Sequence, residues 1–317
     1  MLRPPPARRS CASGDVERKP EVLSYFQAVV IGLLQGVTEL FPISSLGHSV
    51  LLPGWPGWDN LVKAQSKESF FLAFLVAIHV GTAVALLIFF RNDWIRIIRG
   101  FFRTLSTRRI ETSDERLAWL LVAATIPTGL MGLLFEHELR VVFAKPVAAA
   151  VFLTINGFIL LAGERVRRQS AAVHELAARY PQSTTSREPG RRLDTLDFKE
   201  AVVVGVAQTA SLFAGISRSG ITMVAGLVRG LDHEDAARFS FLLATPIILA
   251  AGLYKLPDLF GHLGDGVRGQ SFVAAVCAGV AAYASVRFLV RFFQTQTLWP
   301  FGVYCIVAGI VSIIRFA

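Results

Sequence analysis

A cluster of side chains able to do chemistry lies near the start of an otherwise apolar sequence. Residues 35–49 read QGVTELFPISSLGHS. The cluster can supply a nucleophile or base at Ser45 and His48, and an acid, base or metal ligand at Glu39. Gln35 precedes Glu39 by four positions, so a helix places these two side chains on one face.

A turn follows this predicted helix. Pro42 lacks the amide hydrogen that a helix interior needs, and Ser44 and Ser45 then lie in a turn whose amides can point at an anion. Such a polar cluster costs several kcal/mol inside a membrane. Glu39 alone could join helices through a salt bridge, but that role leaves the serines and the histidine unexplained. The cluster as a whole therefore indicates a functional site.

A second polar segment surrounds an arginine. Residues 211–222 read SLFAGISRSGIT, in which serines and glycines flank Arg218. Glycines let backbone amides approach a ligand closely, and a guanidinium pairs with two phosphate oxygens at once. The alternative role of Arg218 is a counter-ion for Glu39 in a transporter, but one ion pair needs neither hydroxyls nor glycines. Phosphate binding is favoured, and the predicted phosphate ligands beside Arg218 are Ser44, Ser217, Ser219, Gly220 and Thr222.

The composition indicates a membrane protein. Of 317 residues, 53% are hydrophobic and 17% are charged, whereas a soluble domain carries about 25% charged residues. This composition excludes a disordered chain, a disulfide-built secreted scaffold and an ordinary cytosolic enzyme. The net charge of +9 is explained by the basic loops of a membrane protein, so no nucleic-acid partner is expected.

Apolar runs of two lengths divide the chain. A span needs about 20 apolar residues, and the runs at 26–34 and 201–207 are too short. Each short run leads into one of the polar segments and then into a second short apolar run, which predicts a re-entrant helix pair buried in protein. Six longer runs are predicted transmembrane helices: Ser69–Phe90, Leu117–Phe135, Pro146–Gly163, Phe239–Leu256, Ser271–Val290 and Leu298–Phe316.

The two halves of the chain are related by an internal repeat. Residues 28–49 align with 201–222 without a gap, with eight identities in 22 positions that include Ser44 with Ser217. Each half then holds one re-entrant pair and three spans, an odd number, so the second half is inverted in the membrane. The predicted fold is an all-α integral membrane protein with six transmembrane helices plus two re-entrant helix pairs, arranged as an inverted-topology repeat.

The domain organisation follows from the repeat. Residues 1–20 are rich in Pro and Arg and are predicted to form a disordered tail, and 21–317 form one membrane domain. Its halves are about 22–163 and 198–317, joined by a basic cytoplasmic linker at 164–197. The positive-inside rule places the long basic loops in the cytoplasm and both chain termini outside.

The repeat superposes Ser45 on Arg218. Packing about a pseudo-twofold axis brings the two polar segments together, and broken helices of this kind typically form a site near the membrane midplane. The combined groups suit phosphoryl transfer, in which positioning and charge neutralisation provide most of the catalysis.

Both polar segments resemble the signatures of the undecaprenyl-diphosphate phosphatase family, also called the bacitracin-resistance family. QGVTELFPISSLGH is similar to (E/Q)-G-x-T-E-F-x-P-x-S-S-x-G-H, and AGISRSGIT is similar to P-G-x-S-R-S-G-x-T. The resemblance implies a multi-pass enzyme of the bacterial plasma membrane that removes the terminal phosphate of undecaprenyl diphosphate, recycles the lipid carrier for peptidoglycan synthesis and confers bacitracin resistance. It also implies a site open to the periplasm and a divalent cation, usually Mg²⁺, with Ca²⁺ as the alternative.

The resemblance implies that Glu39, Ser45, His48 and Arg218 form the catalytic core. Ser45 is favoured as the nucleophile, with His48 as general base and then acid. The alternative is direct attack by His48, which gives a phosphohistidine while Ser45 only binds. Glu39, together with Gln35, would hold the cation, or Glu39 would orient His48. Arg218 would neutralise the charge that develops on the phosphoryl group.

Two positions of the match, Gln35 and Ala214, bear on the expected site, and one histidine is left over. Gln35 stands where many members have Glu, which removes one anionic metal ligand, and Ala214 replaces the proline before Gly215. For His79, inside the first predicted span, a structural contact between helices is favoured over a place in the site.

A flippase or secondary transporter of a phosphorylated polyprenyl lipid is the alternative function. Inverted repeats with broken helices are a transporter architecture, and the same residues would bind the lipid phosphate. In either case the expected partners are a polyprenyl diphosphate and membrane lipids, with a homodimer as a further expectation.

Overall fold

A computed structural model describes residues 23–58, 61, 70–135, 145–179 and 191–317, in which the regular structure is helical. The predicted tail at 1–20 lies outside these residues. The α-helices are α1 Tyr25–Thr38, α2 Ser45–Leu51, α3 Phe70–Phe89, α4 Arg91–Thr107, α5 Ser113–Leu134, α6 Pro146–Arg179, α7 Phe198–Gln208, α8 Arg218–Val228, α9 His233–Phe260, α10 Arg268–Phe292 and α11 Trp299–Phe316. Short 3₁₀ helices occur at Leu52–Gly54, Leu193–Thr195, Thr209–Leu212 and His262–Gly264.

Within the described residues, five helices are long and apolar enough to cross a membrane: α5, α6, α9, α10 and α11. The bent pair α3–α4 makes a sixth if it is counted as one span. The prediction of an all-helical, multi-pass membrane protein is thereby confirmed. Some helices begin before the predicted apolar runs because polar residues cap them. Asp232, for example, accepts a hydrogen bond from the amide of Asp235 at 2.7 Å and starts α9 ahead of its apolar part.

The predicted linker begins inside a helix. α6 continues to Arg179, so residues 164–179 of the predicted linker belong to the same helix as the predicted span at 146–163. Glu164 in this part is buried and accepts a hydrogen bond from the imidazole of His233 at 2.8 Å, which joins α6 to the start of α9. Residues 180–190 of the predicted linker lie outside the described part of the chain.

Both predicted short helix pairs are present. α1 and α2 are separated by a break at 39–44, and α7 and α8 are separated by a break at 209–217 that contains a 3₁₀ turn. The second helix of each pair begins at equivalent positions of the repeat, Ser45 and Arg218. The sequence repeat is therefore also a repeat of local structure.

The same N-terminal cap starts both second helices. The hydroxyl of Ser44 accepts a hydrogen bond from the amide of Gly47 at 3.2 Å, and the hydroxyl of Ser217 accepts one from the amide of Gly220 at 3.1 Å. A serine cap satisfies one of the amides that a first helical turn leaves unpaired. The serines at these two positions are thus explained by helix initiation.

The first helix of each pair packs against a long helix of the other half. A Cβ atom on Gly32 of α1 would collide with the backbone of Ala274 in α10, and one on Gly205 of α7 would collide with the backbone of Ala124 in α5. Gly32 and Gly205 are equivalent in the repeat. Small residues let membrane helices approach closely, and this reciprocal packing holds the two breaks so that they can meet.

Candidate active site

The carboxylate of Glu39 is the centre of a buried network of donors. Glu39 follows the last residue of α1 and is 7% exposed. Its Oε1 accepts a hydrogen bond from Nη2 of Arg218 at 2.8 Å. Its Oε2 accepts hydrogen bonds from Nε2 of Gln35 at 3.0 Å and from the hydroxyl of Ser45, and lies 3.3 Å from Nε2 of His79. The buried charge is therefore paired and hydrogen-bonded, as burial of a carboxylate requires.

The structure places His79 at this site, contrary to the role favoured from the sequence. Its Nδ1 donates a hydrogen bond to the carbonyl of Leu75 at 2.7 Å, so Nε2 is the ring atom that faces Glu39. The side chain of His79 is 26% exposed. Its place could not be inferred from composition, because the direction of one polar side chain on α3 depends on how that helix packs.

One nitrogen of the Arg218 guanidinium is available to a ligand. Nη2 binds Glu39, whereas the buried Nη1 has no hydrogen-bond partner among the described residues. A buried unpaired donor costs about 1–3 kcal/mol, and more when it is charged. Nη1 is therefore suited to an incoming phosphate oxygen. Both roles considered for Arg218 apply together, because it is the counter-ion of Glu39 and retains an N–H group for an anion.

The hydroxyl of Ser45 points at Glu39 and makes no described hydrogen bond to His48. Ser45 is the first residue of α2 and is buried. A hydroxyl that donates to a carboxylate keeps its oxygen lone pairs available for attack, and the carboxylate is placed to receive the proton. The described geometry therefore pairs Ser45 with Glu39 as its base.

Both ring nitrogens of His48 are engaged elsewhere. Nδ1 lies 2.7 Å from the carbonyl oxygen of Ser44 and donates to it, since a carbonyl only accepts. In the neutral ring Nε2 then accepts a hydrogen bond from the hydroxyl of Tyr304 at 2.8 Å. The two rings also stack, with centroids 5.8 Å apart and planes 10° from parallel. This arrangement does not support His48 as the base that activates Ser45.

The predicted meeting of the two polar segments is confirmed at Gly47 and Gly215. A Cβ atom on Gly47 would collide with the backbone of Gly215, which has φ +112°. The amide of Gly215 donates a hydrogen bond at 3.2 Å to the hydroxyl of Ser44, the same oxygen that caps α2. Ser44 has φ 69°, an uncommon conformation for a residue with a side chain. Close contact between the breaks thus depends on two glycines.

Asn156 of α6 joins the two breaks and was not among the predicted site residues. Its Nδ2 donates a hydrogen bond to the carbonyl of Pro42 at 3.0 Å, and its Oδ1 accepts one from the amide of Ser217 at 2.9 Å. Asn156 is fully buried. A lone amide inside the predicted span at 146–163 is the signal that could have identified it, since polar side chains in spans normally find specific partners.

Most of the predicted phosphate ligands are used within the fold. Ser219 donates a hydrogen bond to the carbonyl of Phe41 at 3.2 Å, and the hydroxyl of Thr222 lies 2.7 Å from that of Ser240. Ser44, Ser217 and Gly220 form the helix caps. Within the predicted set, Arg218 is the residue that retains a buried unpaired side-chain donor in the described structure.

The residues around Glu39 do not fit a metal ion held by the protein. The described part of the chain contains no group of three or more His, Cys, Asp or Glu side chains placed to bind one. Both oxygens of Glu39 accept hydrogen bonds, and the guanidinium of Arg218 repels a cation at that place. The side-chain oxygen of Gln35 is buried and unpaired, but Mg²⁺ prefers carboxylates and phosphates. Glu39 and Gln35 as metal ligands stay a prediction from the sequence.

Comparison with known proteins gives one consistent result. The family model described as "Bacitracin resistance protein BacA" matches residues 28–311. A protein named "Undecaprenyl-diphosphatase 2" from Frankia alni is 57% identical over 338 aligned positions, which cover 93% of this chain and 98% of the relative. "Undecaprenyl-diphosphatase" from Mycolicibacterium paratuberculosis is 54% identical, with the same coverage of both chains. "Undecaprenyl-diphosphatase 2" from Chromobacterium violaceum is 42% identical, and the alignment covers 92% of this chain and 99% of the relative.

Proposed function

The chain belongs to the bacitracin resistance protein BacA family, and we propose that it is an undecaprenyl-diphosphatase. As such it is a membrane hydrolase that converts undecaprenyl diphosphate to undecaprenyl phosphate and inorganic phosphate. Its relatives carry that activity in their names and align over almost their whole length. The substrate is accordingly a polyprenyl diphosphate lipid.

The mechanism is based on one observation: Ser45 and Arg218 both bind the buried carboxylate of Glu39. The hydroxyl of Ser45 donates to one oxygen of Glu39, and Nη2 of Arg218 donates to the other at 2.8 Å. Nη1 of Arg218 remains unpaired beside them. A nucleophile, its proton acceptor and a cation for the phosphoryl oxygens therefore belong to one hydrogen-bonded unit, and phosphoryl transfer needs that combination.

In the first step Ser45 is the nucleophile. Its Oγ forms a bond to the terminal phosphorus while its proton passes to Oε2 of Glu39. The bond from that phosphorus to the bridging oxygen breaks, and undecaprenyl phosphate leaves with the electron pair. Nη1 of Arg218 neutralises charge on the phosphoryl oxygens, while Nη2 keeps the carboxylate in place.

In the second step a water molecule attacks the phosphoserine. Glu39 first passes the proton that it gained from Ser45 to the departing undecaprenyl phosphate. It then takes one proton from the water and gives that proton to Oγ of Ser45 as the phosphorus–Oγ bond breaks. Inorganic phosphate leaves, and the hydroxyl of Ser45 is restored. Because Arg218 binds the phosphoryl group in both steps, its removal should slow both.

His48 is assigned a positioning role. Its Nδ1 holds the carbonyl of Ser44, whose φ of 69° sets the direction of the chain into Ser45. Tyr304 fixes the other nitrogen of the ring at 2.8 Å. Direct attack by His48 would need the bond to Tyr304 to break first, so Ser45 is preferred as the nucleophile.

The arrangement in the membrane is part of the proposal. We infer an inverted-topology repeat with two re-entrant pairs in the bacterial plasma membrane and a site open to the periplasm, which suits recycling of a lipid carrier for peptidoglycan synthesis. The equivalent helix starts at Ser45 and Arg218 and the reciprocal packing of Gly32 and Gly205 support the repeat. A homodimer stays a prediction.

The deciding experiment measures phosphate release from undecaprenyl diphosphate by the purified protein in detergent micelles, where no gradient exists. We expect the unmodified protein to release phosphate and Ser45→Ala to release none. We also expect the unmodified protein to form a phospho-enzyme that survives acid and is lost in base, as phosphoserine is. A protein that binds the lipid without releasing phosphate would instead be a flippase or transporter, a function that the diphosphatase relatives do not favour.

A further inference from the structure

Helix α4, at Arg91–Thr107, leaves the bundle almost at a right angle. The axes of α3 and α4 differ by 87° across the break at Phe90. α3 is the apolar arm of this bent pair and lies against the candidate span α10, where a Cβ atom on Gly81 would collide with the backbone of Ala275. A helix perpendicular to α3 therefore runs along the membrane surface. α4 is also too basic to cross, because arginines such as Arg96, Arg99 and Arg103 each cost about 2.5–3.5 kcal/mol at the bilayer centre.

One face of α4 holds it against the bundle. Ile97, Gly100 and Thr104 are its buried residues, spaced three and four apart. A Cβ atom on Gly100 would lie 3.1 Å from the backbone of Glu115 at the start of α5. Asp93 on the same face accepts a hydrogen bond from Arg238 of α9 at 2.7 Å. The orientation of α4 about its own axis is therefore fixed.

A second face is apolar and exposed. Ile95, Ile98, Phe102 and Leu105 recur at spacings of three and four and are 47%, 47%, 63% and 51% exposed. They lie on the side of the helix away from Ile97, Gly100 and Thr104. Contiguous exposed apolar surface of this kind marks contact with a membrane or another protein.

A third face is basic. Arg96, Arg99 and Arg103 follow one another at spacings of three and four and are exposed. Arg103 also reaches Glu115, 3.4 Å away, and Arg96 binds Asp93 at 2.5 Å, whereas Arg99 makes no ion pair with the described residues. A purely apolar partner would leave Arg99 without a counter-charge. Anionic lipid headgroups above an acyl-chain layer match both faces at once.

We propose that α4 lies in the headgroup layer of an anionic leaflet on the side of the basic loops. The apolar face at 95, 98, 102 and 105 enters the acyl region, and the arginine face contacts lipid phosphates. α4 then fixes the depth of the protein in the bilayer through contacts with α5 and α9. This role is separate from the hydrolysis of the diphosphate.

The test is a spin-label scan of full-length protein in vesicles. Single cysteines replace Ile98 and Phe102 on the apolar face, and Arg99 and Asn92 on the opposite exposed side. Cys11 and Cys277 are changed to Ser, and Cys305 is kept because it is fully buried. Collision rates with oxygen, which concentrates in lipid, and with a water-soluble nickel chelate are measured at each position. Phosphate release by each labelled variant in detergent shows that it has folded.

We expect labels at 98 and 102 to collide preferentially with oxygen, and labels at 92 and 99 with the nickel chelate. The label at 102 should also lie deeper in phosphatidylglycerol vesicles than in phosphatidylcholine vesicles, and high salt should reduce the difference. Equal nickel access at 99 and 102 would overturn the membrane contact. Equal depth in both vesicle types would overturn the requirement for anionic lipid.

Discussion

Ser45 and Arg218 are the first residues of equivalent helices in the two repeats, and both side chains bind the carboxylate of Glu39. The repeat has thus placed a hydroxyl at one helix start and a guanidinium at the other. The shared serine caps explain why the two helices begin where they do. The unlike first residues explain how two similar segments can form one asymmetric site.

The first prediction concerns Ser45. Ser45→Ala removes the attacking oxygen, so kcat should fall about 10³-fold or more, as nucleophile removal does in other hydrolases. The measurement is phosphate release under saturating undecaprenyl diphosphate, together with trapping of labelled phospho-enzyme.

The matched control is Ser211→Ala. That hydroxyl also lies at a break, but it bonds at 2.7 Å to the carbonyl of Gln208 in its own segment. The control variant should keep most of the phosphate release and should still form the phospho-enzyme. If Ser45→Ala formed as much labelled phospho-enzyme as the unmodified protein, another residue would be the nucleophile.

The second prediction separates the two roles of Arg218. Arg218→Lys retains a cation near Glu39 but has one nitrogen where Arg218 has two, so it cannot hold the carboxylate and a phosphoryl oxygen together. We expect kcat/KM to fall about 10²–10³-fold while the melting temperature in detergent changes little. If Arg218 served only as a counter-ion, the Lys variant would stay active.

The third prediction tests the positioning role of His48. In His48→Asn the side-chain amide can still donate to the carbonyl of Ser44, as Nδ1 does at 2.7 Å. His48→Ala has no side-chain donor, so the carbonyl of Ser44 loses this hydrogen bond. We expect the Asn variant to be clearly more active than the Ala variant, with kcat as the readout.

Tyr304→Phe completes this comparison. It removes the hydroxyl that binds Nε2 but keeps the stacked ring. A modest loss of activity is expected, because the contact of His48 with Ser44 remains. Equal and complete inactivation of His48→Asn and His48→Ala, with loss of the phospho-enzyme, would instead indicate that His48 takes part in the chemistry, as the nucleophile or as the base of Ser45.

The sequence predicts the meeting of the breaks better than it predicts the partners within them. Proximity of Ser45 and Arg218 follows from the repeat, and α1 and α8 follow from apolar runs with serine or proline at their limits. The contact of His48 with Tyr304 joins positions 256 apart and leaves no local signal. The direction of Thr222 toward Ser240 depends on the rotation of α8. Local chemistry thus identifies the segments, whereas helix packing selects the partners.

The fourth prediction addresses the divalent cation. Nε2 of Gln35 donates to Glu39 at 3.0 Å, so Gln35→Glu would place two carboxylates side by side, which a proton or a cation must then separate. After treatment with a chelator, added Mg²⁺ should raise the melting temperature of Gln35→Glu and leave that of the unmodified protein unchanged. The readout is thermal unfolding without lipid substrate.

The control for this change is Gln208→Glu. Gln208 is equivalent to Gln35 in the repeat, but its Nε2 binds the hydroxyl of Thr128 at 2.9 Å and no carboxylate. It should gain no response to Mg²⁺. A clear rise in the melting temperature of the unmodified protein would show that Glu39 and Gln35 hold the cation after all.

The last prediction concerns Asn156, which holds the breaks together without touching Ser45 or Glu39 in the described contacts. Asn156→Ala would leave the amide of Ser217 buried and unpaired, and the carbonyl of Pro42 with only the weak thiol donor of Cys305 at 3.8 Å. Each costs about 1–3 kcal/mol, so the free energy of unfolding should fall by about 2–6 kcal/mol. Displacement of the breaks by a fraction of an ångström should also lower kcat about 10–100-fold.

Two further variants test this prediction. Asn156→Asp keeps an acceptor for Ser217 but turns a second oxygen toward the carbonyl of Pro42 at a fully buried position, so the free energy of unfolding should fall at least as far as in Asn156→Ala while kcat remains low. Thr125→Ala on α5 removes a hydroxyl that bonds to the carbonyl of Leu121 in its own helix at 2.7 Å, and should change neither quantity greatly. If kcat of Asn156→Asp equalled that of the unmodified protein, the bond to Pro42 would not position the site. Because Ser45 and Arg218 follow different breaks, a residue that links the breaks can alter kcat while both side chains remain present.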